Sequence, residues 1–375
     1  MIYLDHAATS PILPCAKQAM LECLDIFPGN PSALHTLGHL AKNQIETARK
    51  HIAALINASP EEIIFTSGGS EANNTIISTF RDQIIAHSPI EHPSILQPAA
   101  KYAKKIITLP VNAAGIIATD RSYRSDLCSI MLANNEIGTI EPIKDITAAR
   151  LSGFYHSDLT QALGKIPIDV KELDLDYATL TSHKIGGPTG VGALYIKKGS
   201  PFTPLILGGE QEHGLRAGTY NTAAIVGFGA AAKYAITHDT PKLYRTQVLP
   251  LRNLLADQIL SKIPYSKINT PLDCNLPNIL NVSFDAAEGE SIQLYLDLKK
   301  QIAVSTGSAC ASSNAAPSHV IMAIKNDAEA AHSSIRFSLG LDTTKSDIDE
   351  VISILPDIIH NLRSISTISP HGGDL

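Results

Sequence analysis

Between residues 61 and 196 the chain alternates short apolar runs rich in β-branched residues with longer runs of helical period. IIFTS (63–67) precedes ANNTIISTF (72–80), and IIAHS (84–88) precedes PSILQPAAKYAKK (93–105). IITLPV (106–111) and SIMLA (129–133) follow, then a helical stretch near 144–151, then FYHSD (154–158), YATLTS (177–182) and GALYIKK (192–198). Strands that alternate with helices predict a mostly parallel sheet covered by helices on both faces, hence an α/β domain. A glycine-rich stretch at 208–218 leads into an alanine-rich helix over 222–237 and a long amphipathic helix over 242–263, which is expected to bridge two domains.

Past Pro264 the order becomes NILNVSF (278–284), a helix after Gly289, IAVSTGS (302–308), a helix around 318–325, SSIRFSL (333–339) and a last helix. Ser346 and Asp349 have capping-box spacing and predict that helix's start. This succession suits a small α+β domain. The predicted division is a large domain over 15–258 and a small one made of 1–14 plus 259–375. A chain of 375 residues exceeds the size at which one core keeps growing, which agrees with two domains. The tail 366–375 has no periodicity and is expected to fray.

Charge narrows the function classes. Charged residues are 18% of the chain and the net charge is -6, with no block of Lys or Arg, so the footprint of a nucleic-acid or anionic-lipid binder is missing. The N-terminus, MIYLDHAATSP, lacks a basic segment followed by an apolar one, and no apolar run reaches about 18 residues. A soluble, cytoplasmic protein without direct nucleic-acid or membrane contact is expected, and no metal site is predicted. The five cysteines contain no C-x-x-C pair and make a poor disulfide framework. Cys15, Cys23, Cys128 and Cys274 read as structural. Cys310 differs, because its small-residue stretch 305–313 offers no hydrophobic wall to bury it.

Three segments suggest chemistry. Phe65 to Asn74 reads as a strand that breaks at Gly68 and Gly69 and enters a helix, where freed backbone N–H groups and the Ser70 hydroxyl suit a phosphate. Tight strand-to-helix turns also take glycines for purely steric reasons. Asp158 follows an apolar strand, at the edge where open α/β sheets bind ligands. It suits a cofactor's pyridine nitrogen, or a helix cap. Lys184 follows another strand and is hemmed in by glycines. A buried lysine is normally paired or functional, which fits a Schiff-base lysine, although a lysine in a surface turn would read alike.

Together with Tyr3 to Pro11, Gly29 to Ser32 with His35, Glu91-His92, Asn134 to Gly138, Arg216 to Thr219, the Cys310 stretch and His332 to Ser338, these segments resemble a known family nearly end to end. It is the NifS/IscS-type cysteine desulfurases, pyridoxal-phosphate (PLP) enzymes of the class V aminotransferase family with the aspartate-aminotransferase-like fold, fold type I. The resemblance implies that Lys184 carries PLP, Asp158 faces its pyridine nitrogen, Asn135 and Gln161 contact its phenolic oxygen, and His92 stacks on the ring and shuttles protons. It implies a phosphate held by Gly69, Ser70, Thr181 and His183, and by Thr219 of a second subunit in a homodimer. Arg336 would clamp the carboxylate of L-cysteine. Cys310 would be the nucleophile that takes its sulfur and passes it to an acceptor, an iron-sulfur scaffold or a tRNA-thiolation protein.

The chain departs from the family's usual wording at Leu159, Thr181, Gly186, Glu210 and His213, none of which removes a group the mechanism needs. Rival expectations are a selenocysteine lyase or aminotransferase on the same fold, and a catalytically inert relic that binds partners. The serine-rich surroundings of Cys310 argue against an aminotransferase. The joint presence of Lys184, Asp158, His92, Arg336 and Cys310 argues against a relic.

Overall fold

The computed structural model describes residues 1–26, 29–118, 123–271, 273–307 and 317–366. Strand β1 (Ile2–Tyr3) opens the chain. The main sheet is built from β2 (Ile63–Thr66), β3 (Ile84–His87), β4 (Lys105–Thr108), β5 (Ser125–Ser129), β6 (Ser152–Asp158), β7 (Tyr177–Thr181) and β8 (Gly192–Ile196), in the order β2-β8-β7-β6-β5-β3-β4. Only β8 runs against its neighbours. The C-terminal ends of β2, β5, β6 and β7 therefore share one edge. Strand β7 is buried at all five positions, as expected of a central strand covered on both faces.

A second sheet joins β9 (Ser266–Ile268), β10 (Ile279–Phe284) and β12 (Ser334–Ser338) in antiparallel order β12-β10-β9, while β11 (Ile302–Ala303) lies parallel to β1. One buried core gathers around the main sheet, with Ile45, Ile52, Phe65, Leu163 and Phe228. Another gathers around the second sheet, with Leu4, Tyr244, Leu255, Phe284, Phe337 and Leu355. No helix among the described residues is long and apolar enough to cross a membrane.

The alanine-rich helix runs Thr222–Thr237, as its pattern predicts. The helix expected over 242–263 is instead Thr240–Leu243, a π-helical turn Tyr244–Val248, and Leu249–Lys262. Pro250 has no N–H to donate, and the wider turn before it accommodates that gap. The last helix, Lys345–Ile365, is capped by Thr344 and Asp347 and not by Ser346 and Asp349. Both pairs have the required spacing, and the earlier one wins because it closes reciprocally: Thr344 N–H donates to Asp347 Oδ2 (2.8 Å) and Asp347 N–H to Thr344 Oγ1 (3.3 Å). Cys23 and Cys128 are buried, but Cys15 and Cys274 are exposed, so burial does not explain those two.

Candidate active site

The shared strand edge is where the chemistry-bearing side chains meet. Asp158 ends β6, Thr181 ends β7 with His183 and Lys184 just beyond, and β2 turns through Ser67 and Gly68 into the helix Gly69–Thr79. A cavity of about 270 Å³ at this edge is lined by Gly69, Ser70, His92, Asn135, Asp158, Gln161, Thr181, His183, Lys184 and Arg336. Thr219 is exposed and lines a different recess, beside Ser67, Gly190 and Arg216. Cys310 lies outside the described residues.

Local contacts show why these positions converge. The N-terminal segment runs beside the lysine loop: Ser10 N–H donates to His183 O (2.9 Å), Leu13 N–H to Gly186 O (2.8 Å), and Lys184 Nζ to the carbonyls of Ala7 and Ala8. Gly186 has φ +80°, and a Cβ there would come within 2.5 Å of Leu13, so this loop takes glycine for steric reasons. A Cβ on Gly69 would come within 2.7 Å of Thr181 Cγ2, so Thr181 obliges its neighbour to remain bare. Glu71 Oε2 accepts the Ser67 N–H (2.8 Å), and both Glu71 oxygens pair with Arg216 (2.9 and 3.0 Å), which fixes the β2 turn.

Asp158 is held by two donors, Asn73 Nδ2 on Oδ2 (2.8 Å) and Thr160 N–H on Oδ1 (2.9 Å). Asn73 Nδ2 also donates to Ser94 Oγ (2.8 Å), which meets His92 Nδ1 at 2.7 Å. His92 Nδ1 accepts the Ser94 N–H as well, so the neutral ring carries its hydrogen on Nε2. Burial pushes His92 below the ordinary histidine value, which keeps it neutral. Burial, with the charges of Lys184 and Lys165 beside it, pushes His183 down to about 4. Arg336 is an ion-pair partner as well as a cavity wall: Nη2 donates to Asp5 Oδ1 (2.8 Å) and Nη1 to Asn135 O (2.9 Å).

The lining is chemically unfinished. Asn73 Oδ1, Thr160 Oγ1, Gln161 Oε1, Thr181 Oγ1 and Arg336 Nε are buried at this cavity without a hydrogen-bond partner in the protein. Such atoms call for a polar occupant. The helix Gly69–Thr79 also has no side chain capping its N-terminus, which leaves backbone donors for an anion. A flat, phosphorylated pyridine fits this donor set. Gln161 is a partial exception, since Nε2 is spent on Ala7 O (3.0 Å) and Oε1 is the atom left over. Contact with a ring oxygen there takes a hydroxyl hydrogen or the opposite amide orientation. Sequence reasoning missed Asn73, Ser94 and Thr160. Asn73 stands within the quoted loop motif, yet only the fold reveals that it bridges Asp158 and Ser94.

A lysine and an aspartate at the C-terminal edge of a mostly parallel sheet, facing an arginine from a second sheet, define an α/β enzyme of fold type I. Over residues 2–351 the chain matches the aminotransferase class-V family. It is 44% identical to the cysteine desulfurase IscS of Dictyoglomus turgidum, covering 97% of this chain and 96% of that protein. Among solved structures it is similar to a NifS-like protein from Rickettsia africae (TM-score 0.87, 36% identity, covering 96% of this chain and 99% of that one). It is also similar to SspA, solved in complex with cysteine (TM-score 0.77, 30% identity, covering 90% and 99%). The chain belongs to the class V aminotransferase family, in its branch of NifS/IscS-type cysteine desulfurases.

Proposed function

We propose that this protein is a PLP-dependent cysteine desulfurase that moves the sulfur of L-cysteine onto Cys310 and releases L-alanine. The observation that carries the reading is one cavity lined by a lysine, a doubly hydrogen-bonded aspartate and an arginine, with five buried polar atoms still unpaired. Lys184 would hold PLP covalently, Asp158 its pyridine nitrogen, Asn135 and Gln161 its phenolic oxygen, and His92 the face of its ring. Gly69, Ser70, Thr181 and His183 would hold its phosphate, with Thr219 serving the phosphate of a second copy. Bound there, PLP withdraws electrons from the substrate's α-carbon.

The chain's own residues supply the rest. Arg336, with Nε unpaired, orients the substrate carboxylate, while Asp158 is fixed by Asn73 and Thr160 in the orientation its role requires. His92 holds a hydrogen at Nε2, the atom through which it passes a proton. The Cys310 thiolate attacks the substrate sulfur, so an S–S bond forms as the C–S bond breaks, and the carbon takes a proton to become alanine. A thiol near its ordinary pKa is only a few per cent thiolate at neutral pH, so a proton acceptor near Cys310 assists this step. The resulting persulfide is passed to an acceptor, an iron-sulfur scaffold or a tRNA-thiolation protein.

The test is incubation of the purified protein with L-cysteine and a reductant, with sulfide and alanine both assayed. Equal amounts of the two are expected, and neither from Lys184→Ala. Release of a keto acid in place of alanine would contradict the reading.

A further inference from the structure

Glu136 lies in the loop that presents Asn135 to the cavity and is itself 2% exposed. Asn134 Oδ1 accepts the N–H groups of Glu136 (2.8 Å) and Ile137 (3.0 Å), Asn281 Nδ2 donates to Glu136 O (3.3 Å), and Arg336 Nη1 donates to the adjacent Asn135 O. The backbone that carries this carboxyl is thus tied to β10 and β12 of the second sheet.

Two distant parts of the chain meet the carboxyl. Ser318 Oγ donates to Glu136 Oε2 while it also caps the helix His319–Lys325 by accepting the Ile321 N–H (3.1 Å). Gly307 lies so close that a Cβ there would come within 2.1 Å of the same Oε2. Just upstream, Ser305 exchanges backbone hydrogen bonds with Arg336 (2.7 and 3.2 Å). Residues 307 and 318 are the two flanks of the stretch that contains Cys310.

We infer that Glu136 is a positioning residue for sulfur transfer: its buried carboxyl pins both flanks of the Cys310 stretch to the loop that lines the cofactor cavity. The inference rests on the reading of Cys310 as sulfur acceptor. Misplacing a reacting group by about 1 Å costs on the order of 100-fold in rate, so a single buried anchor at both flanks governs the reaction without touching substrate.

The test uses the full-length holoenzyme and two readouts, the rate of persulfide formation on Cys310 and, without L-cysteine, the rate at which iodoacetamide alkylates Cys310. Glu136→Ala is expected to keep the cofactor's visible absorbance and its change on adding L-cysteine. Persulfide formation should fall roughly 10- to 100-fold, and alkylation of Cys310 should speed up. Gly307→Ala drives a methyl into the carboxyl and should show the same loss. Glu136→Ala combined with Gly307→Ala should lose no more than either single variant, a non-additivity that two independent destabilisations do not produce.

Should Glu136→Ala fail to accumulate, Ser318→Ala is read in its place, with the same expected directions. Wild-type rates of both persulfide formation and alkylation in these variants, or losses that simply multiply in the double variant, would overturn the inference. If the wild-type protein forms no persulfide on Cys310, the functional reading fails, and the alkylation rates still decide whether Glu136 holds that stretch.

Discussion

His156 stands on β6 with both ring nitrogens engaged, Nδ1 by Ser129 Oγ (2.8 Å) and Nε2 by Thr179 Oγ1 (3.0 Å), and burial pushes it down to about 4. An unfolded histidine takes a proton near pH 6.5, whereas this one stays neutral until about pH 4. Its contribution to stability is therefore complete above pH 6.5 and is lost as the pH falls from there towards 4, by up to roughly 3 kcal/mol. Other buried groups, such as Glu141, raised to about 8 by burial, titrate with the opposite sign, so the effect must be read as a difference. The stability gap between wild type and His156→Asn, from urea unfolding, should shrink between pH 7 and pH 4.5; a constant gap would contradict the account. At this scale Lys184 and Asp158 stood out because a charge that closes an apolar strand demands a reason, whereas Arg336 was singled out only by the family resemblance. Asn73, Ser94 and Glu136 were not legible, since their roles consist of contacts to residues far away in the chain.

Elements were legible where the pattern is local. The alternation of β-branched runs and helical periods marks the strands of the main sheet except β5, which is Ser125–Ser129 and ends where the apolar run 129–133 begins, and the alanine-rich period marks Thr222–Thr237. Where two local signals compete, only the closed hydrogen bonds decide, as at Thr344 against Ser346. The π turn before Pro250 is of the same kind, since periodicity registers a helix but not its extra residue. The glycine-rich stretch 208–218 hides a long-range tie: Glu212, at φ +50°, buries its carboxyl against the Arg49 fork (2.7 Å to each oxygen) and accepts the Phe65 N–H (2.8 Å). Opposite charges 163 positions apart carry no sequence signature of pairing. Removing one partner of such a buried pair costs roughly 3–5 kcal/mol, so this tie holds the Thr219 segment against the β2 turn.

At the scale of the whole molecule, Thr219 is exposed and lines a recess other than the cavity that Lys184 lines, and Leu205, Ile206 and Leu207 leave apolar surface exposed on the same segment. A second copy that uses Thr219 would cover it, and closed two-fold dimers are the commonest assembly. Light scattering should give twice the mass of one chain; a stable monomer with full activity would contradict the assignment of Thr219. The central claim is the transfer of sulfur to one named thiol. It is tested most directly by mixing the purified protein with L-cysteine, trapping persulfides by alkylation and mapping them by peptide mass, beside Cys310→Ser. Serine keeps the size of the side chain but is un-ionised at neutral pH, so the variant should retain PLP and bind L-cysteine. A persulfide on Cys310 in the wild type, with none in the variant and alanine production down by orders of magnitude, is the predicted result. Undiminished alanine production by Cys310→Ser, with the persulfide on Cys15, Cys23, Cys128 or Cys274, would contradict it.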